Sequence, residues 1–240
     1  MSWSPPPPNW DAVAGRVLDG LFSAIREEMP GYSDSVTVFG SAAIQLCYDE
    51  HFTSADVDLM VLSGGDDLRE LAGRLGLGRS GSVRAAYGLQ ICPPQLFRPT
   101  PHYMQRAHLE KRHGVNVVVP HVRDILVAKL HRFREEGLRG IAAKDRKAFL
   151  RVRELSGGHP TDHEMIEDLR LCEPDLRVPD DGSVNAFRLN VLDLFSELFG
   201  RRIDLETEIL GPGRESARIR PDHHGSDPGG LLSGLEPTRD

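Results

Sequence analysis

The chain has 240 residues, 39 % of them apolar and 27 % charged, with a net charge of −7. That length and apolar content suit one large or two small globular domains with enough core to fold unstapled. Three cysteines with no C-x-x-C pair exclude a disulfide framework, and the lack of a long apolar run excludes a membrane helix.

Pro5 to Pro8 favour polyproline II and predict a flexible lead over residues 1–10. That start has neither a basic nor an apolar stretch, so no secretory signal is expected and a cytoplasmic location is. Asn9 or Asp11 is placed to cap a first helix. Its apolar residues Val13, Val17, Leu18, Leu21, Phe22 and Ile25 recur at helical spacing as far as Glu28, and Pro30-Gly31 ends it. Ser35 to Phe39 reads as a strand, Gly40-Ser41 as a corner, and Ala42 to Tyr48 as a helix. Asp56 to Leu62 alternates with period 2 and predicts a second strand. Leu68, Leu71, Ala72 and Leu75 form one face of a helix that stops near Gly76 and Gly78. Val83 to Cys92 reads as a strand, Pro93 to Pro101 as an irregular segment, and Val115 to Val119 as a strand closed by Pro120.

The pattern then turns helical over His121–Glu136, Ala142–Leu155, Thr161–Leu171 and Asn185–Phe199. Gly211 to Asp240 holds six Gly and four Pro without apolar periodicity, which predicts a disordered tail. Strands mixed with helices, then helices alone, predict an α/β (α+β) fold. A small mixed sheet with flanking helices would span 11–120, and a helical region packing on it would span 121–210.

The chemistry concentrates in V-T-V-F-G-S-A-A-I-Q-L, seven further residues, then S-A-D-V-D-L-M-V. Gly40-Ser41 sits where a strand hands over to a helix, so free N–H groups and the positive end of the helix dipole suit a phosphate. Asp56 and Asp58, two apart in a strand, place both carboxylates on one face. Such a pair repels itself unless a cation lies between its members. A Mg²⁺ ion shared with substrate phosphates meets that need; a solvated strand face is the plainer alternative.

In the next two helices an ionisable residue falls within each apolar stripe. Lys129 lies amid Ile125, Leu126, Leu130 and Phe133. Asp145 lies with Ile141, Ala142, Phe149 and Val152, while Lys144, Arg146 and Lys147 point elsewhere. A buried charge needs a partner or a role, so either a structural Lys129–Asp145 salt bridge or a functional pair is expected.

Together these motifs resemble the signature of the polymerase-β-like nucleotidyltransferase superfamily. The segment V-N-V-V-V-P-x-x-x-D-I-L-V-A-K-L-H-R-F-R followed by K-D-R looks like the AbiEii/MenT-type nucleotidyltransferase-like proteins of toxin–antitoxin systems. The resemblance covers roughly Val36 to Leu155. It implies Mg²⁺ held by Asp56 and Asp58, an NTP triphosphate on Gly40 and Ser41, and phosphate binding by Lys129. Asp145 would assist catalysis or orient Lys129. The implied activity moves an NMP from an NTP to a hydroxyl or phosphate on a tRNA, a protein or a small molecule, with a cognate partner protein as a possible regulator. The alternative is a degenerate module that binds nucleotide or a partner without turnover. What motivates it is the third acid of the superfamily, whose matching context here is Val115-Asn116-Val117, with Glu110 the nearest substitute.

Other features weigh less. Arg132 and Arg134 are candidates for phosphate contacts or for a solvated helix face. Arg98, Tyr103 and Arg106 mark a region where an acceptor could enter. The five His between His102 and His131 match no zinc spacing, and Cys47 reads as a small core residue. The charge is also uneven. From Arg106 to Arg153 there are thirteen Lys/Arg against five Asp/Glu, a local +8 that leaves −15 elsewhere. The overall −7 argues against a constitutive nucleic-acid binder, and the basic centre reads as a local counter-charge for a triphosphate.

Overall fold

Period-2 apolar residues and short segments between glycines and prolines produce a five-stranded mixed sheet in the computed structural model. It describes residues 6–52, 56–77, 88–133, 140–179, 181 and 183–211. The strands are β1 (Ser35–Phe39), β2 (Asp56–Met60), β3 (Gly88–Cys92), β4 (His108–Arg112) and β5 (Val115–Val119), in the order β3-β2-β1-β5-β4. β1 runs antiparallel to β2 and parallel to β5; β2 and β3 are parallel, and β4 and β5 antiparallel.

Three helices lie on the sheet: α1 (Val13–Glu28) against β5, α2 (Gly40–Cys47) against β1 and β2, and α3 (Gly65–Arg74) against β3. α4 (Val122–Leu130) packs on α2 and carries the C-terminal helices α5 (Ala143–Leu155), α6 (Asp162–Leu171) and α8 (Ala186–Leu198). A short α7 (Glu173–Leu176) and a π-helical turn at Glu206–Leu210 complete the set. One continuous apolar core joins the sheet to these helices, and the chain as far as Leu210 forms one unit.

Several local expectations change. α1 begins on Ala12 rather than on a polar cap; Asn9 Oδ1 instead accepts from Asp11 N in a local turn (3.0 Å). Gln45 of α2 does the capping from a distance. Its Oε1 accepts from Ala14 N at 2.7 Å and its Nε2 donates to Phe52 O at 3.1 Å. β4 is an additional strand. Its sequence H-L-E-K-R holds one apolar residue, as suits an edge strand, and His113-Gly114 closes the hairpin with both φ angles positive (49° and 89°).

The helix expected to reach Glu136 stops at Leu130. Asn190 Nδ2 of α8 donates to the Leu130 and Arg132 carbonyls at 2.8 and 3.0 Å, satisfying acceptors that a helix end exposes. Phe133 therefore leaves the buried stripe and is 83 % exposed. Residues 212–240 of the expected tail, the first half of the strand expected from Val83, and Arg134 lie outside the described residues. No helix among the described residues is long and apolar enough to cross a membrane.

Candidate active site

The β1–α2 corner and β2 form one wall of a cleft of about 810 Å³. Asp56 and Asp58 both line it, while Val57 and Leu59 between and beyond them are buried in the core. Asp58 is registered with Phe39, the last residue of β1, so the carboxylate lies against the next residue, Gly40. Gly40 has φ +67°, and a Cβ there would collide with Asp58 Oδ2 and lie 3.2 Å from its Cγ. The site needs glycine at this point for both backbone conformation and space. The N-cap of α2 is Phe39, which has no polar side chain, so no side chain caps the first-turn N–H groups.

Burial first, and the Asp56 charge second, push the Asp58 carboxyl up to about 6, with Lys129, Lys144 and Arg132 pulling the other way. A carboxylate pair so loaded is a hard-oxygen donor set that could hold a divalent cation together with substrate phosphates. Among the described residues no cluster of three or more His, Cys, Asp or Glu is arranged to hold a metal.

The opposite wall comes from α4 and α5. Lys129 lines the cleft, and its Nζ donates to Asp145 Oδ1 at 3.0 Å. Arg132 Nε lies 2.6 Å from the other oxygen, Asp145 Oδ2. Asp145 is 1 % exposed and does not border the cleft, so it acts from behind as a positioning residue for two cations. Burial pulls the Lys129 ammonium below its usual pKa, and Asp145 opposes that shift. The salt bridge and the site are thus one arrangement: Asp145 cancels one of two charges and leaves the pair net positive toward Asp58.

Three residues enter that sequence reasoning missed. Lys144 and Lys147, which flank Asp145 and were set aside as pointing elsewhere, line the cleft and make no ion pair among the described residues. Gln90 of β3 is registered with Asp58 and lines the cleft as well. It puts an amide on the strand beside the carboxylate pair. Asn116 is not beside that pair, because it is registered with Ser35, at the far end of β1 from Gly40. Four residues of strand put that point about 13 Å away. Glu110 is likewise remote from the cleft, with His108 Nε2 at 2.8 Å and Arg112 Nη1 at 3.5 Å. The signal available for Gln90 was its apolar-polar-apolar context, Leu89-Gln90-Ile91.

Of the residues marked for acceptor entry, Arg98 lines the cleft and pairs with Asp175 at 2.6 Å. Arg106 is committed elsewhere. It donates to Asp124 at 2.6 and 2.8 Å and to Asp168 at 2.8 Å; Arg123 donates to the other Asp168 oxygen at 2.6 Å. This buried box fastens α4 to α6 and so holds Lys129 in place. Tyr103 packs edge-on against Phe97. Searches with this chain against family models, characterised proteins and solved structures gave no match.

Proposed function

We propose that the chain is a Mg²⁺-dependent nucleotidyltransferase that moves an NMP from an NTP to a hydroxyl or phosphate acceptor. The observation that carries this reading is convergence. One cleft collects two same-face carboxylates, an uncapped helix N-terminus at Gly40-Ser41 and four cations on the facing wall. An acidic wall against a basic one suits a metal-bound triphosphate better than either charge alone.

In this reading Asp56 and Asp58 would hold Mg²⁺ through hard oxygens. The ion would supply charge neutralisation of the attacking and leaving oxygens. Ser41 Oγ and the first-turn N–H groups of α2 donate to the triphosphate. Lys129, kept charged and aimed by Asp145, binds phosphoryl oxygen, and Lys144 offsets charge on the departing pyrophosphate. The acceptor oxygen attacks the α-phosphorus as the bond to the β-phosphoryl oxygen breaks. Among the described residues only two carboxylates line the cleft, so in this reading the acceptor's proton passes to water or to the substrate's own phosphate. The acceptor class, whether tRNA, protein or small molecule, and a cognate partner protein of toxin–antitoxin type follow from the sequence resemblance.

Gln90 favours a second reading, in which the site binds Mg²⁺·NTP without turnover. Incubation with each labelled NTP, Mg²⁺ and cell extract separates the two. Transfer that disappears in Asp56→Ala/Asp58→Ala supports the enzyme. Mg²⁺-dependent binding with no product supports the binding module, and no binding at all refutes both.

A further inference from the structure

The cleft is chemically divided, and only part of it is accounted for by a triphosphate. The part described above brings the Asp56–Asp58 pair and the cations of Lys129, Arg132, Lys144 and Lys147 together. Elsewhere on the same lining the charges are cancelled. Arg98 is neutralised by Asp175 at 2.6 Å. His131 stacks on Phe187 with ring centroids 3.7 Å apart, and burial holds its imidazole neutral, with a pKa pushed down to about 3. Beside them stand two large apolar side chains on the cleft border, Leu96 at 61 % exposed and Phe133 at 83 %.

Phe133 is held out by the fold. The Asn190 hydrogen bonds to Leu130 and Arg132 end α4 before its buried stripe could carry the ring inward. An exposed aromatic face next to Arg132, in continuity with a phosphate-binding wall, suits a flat π-system attached to phosphates. Stacking needs no particular base, since every nucleobase has a π-face.

We propose that Phe133, with Leu96 on the same lining, is the platform on which the nucleobase of the bound triphosphate stacks. This rests on the nucleotide reading of the cleft and adds to it the place of the base. Phosphates and base would then be held by separate groups of residues that can be tested apart.

The test uses Mg²⁺·tripolyphosphate as a phosphate-only probe beside the four Mg²⁺·NTPs, on the full chain and on Phe133→Ala and Phe133→Trp. Phe133→Ala is expected to weaken all four NTPs by about 5- to 150-fold, the range for loss of one stacked base, and to leave tripolyphosphate unchanged. Phe133→Trp is expected to restore affinity. Its added indole fluorescence, read against the Trp3 and Trp10 background of the wild type, should be quenched by NTP and not by tripolyphosphate.

Unchanged NTP binding in Phe133→Ala overturns the platform, as does equal loss of both ligands. Unchanged NTP binding with lost transfer also overturns it, by assigning the ring to the acceptor. If the wild type binds tripolyphosphate and NTP equally tightly, the base makes no contact and the platform fails while the phosphate site stands. If the wild type binds neither, the nucleotide reading fails with it.

Discussion

Gly40→Ala tests the approach of the β1–α2 corner to the carboxylate pair. The substitution has two costs. The first is the left-handed backbone, φ +67°, which an L side chain adopts at about 1–2 kcal/mol. The second is the collision of the new Cβ with Asp58 Oδ2, which the carboxylate can relieve only by turning off its present position. Gly200→Ala isolates the first cost, because Gly200 has φ +64° and nothing within 4 Å of a built Cβ. For a chain of this size about 1 kcal/mol corresponds to roughly 2–4 °C. Gly200→Ala should therefore melt about 2–8 °C lower than wild type without ligand, and Gly40→Ala by at least as much. They should part on addition of Mg²⁺·NTP. Ligand at 100 times its dissociation constant stabilises by about 2.7 kcal/mol, about 5–10 °C on the same scale. Thermal melts with and without Mg²⁺·NTP are expected to show that rise for wild type and Gly200→Ala, and none for Gly40→Ala. A full ligand-induced rise in Gly40→Ala would refute the reasoning, since Asp58 would then be free to move without loss of the site.

The remaining predictions address the charges. Asp145→Asn leaves Lys129, 6 % exposed at its side chain, without its anion; a broken buried pair costs about 3–5 kcal/mol, and urea unfolding that gives less than about 1 kcal/mol would contradict the positioning role. Asp58 is raised in the fold from 3.8 to about 6, so the folded chain keeps a proton that the unfolded chain loses. Its contribution is full below about pH 4 and is lost as pH rises through about 6, a loss of up to about 3 kcal/mol. Asp58→Asn should abolish this part of the pH dependence, melt higher than wild type at pH 7.5 without Mg²⁺, and lose Mg²⁺-dependent NTP binding. Mg²⁺ affinity of the wild type, measured by titration calorimetry, should fall toward tenfold per pH unit below about pH 6 as the proton competes. Gln90→Asp should raise Mg²⁺ affinity and transfer activity, whereas Asn116→Asp should change neither in the same labelled-NTP assay.

Local pattern carried the regular elements well. β1 and β5 coincide with their expected spans because each is a run of β-branched residues flanked by turn formers, Asp34 and Gly40 or Gly114 and Pro120. The same-face placement of Asp56 and Asp58 needed only the period of a strand. What stayed hidden depended on distant partners. Gln45 caps α1 from 31 residues away, and Asn190 ends α4 from 60 residues away. Neither leaves a mark in the sequence near the helix it terminates. β4 was hidden for the opposite reason: none of its side chains is buried on either face, so it has no apolar alternation to display.

Registry also separates two amides that look alike in the sequence. Val115-Asn116-Val117 and Leu89-Gln90-Ile91 have the same apolar-polar-apolar form, and one-dimensional reading cannot rank them. Strand order can. β3 lies beside β2 and pairs Gln90 with Asp58; β5 lies across β1 and pairs Asn116 with its far end. Both are amides, so the count of acids is unchanged, but the consequence differs. An amide directly beside Asp58 adds no charge to a carboxyl already raised to about 6, where a third carboxylate would raise it further. The chain thereby limits the repulsion it must bear without a cation. The facing wall compensates from the other side: Lys129 and Arg132 share one anion, and Lys144 and Lys147 have none among the described residues. The surplus of basic residues between Arg106 and Arg153 thus has a local use, because it faces an acidic wall across a gap that a triphosphate can bridge.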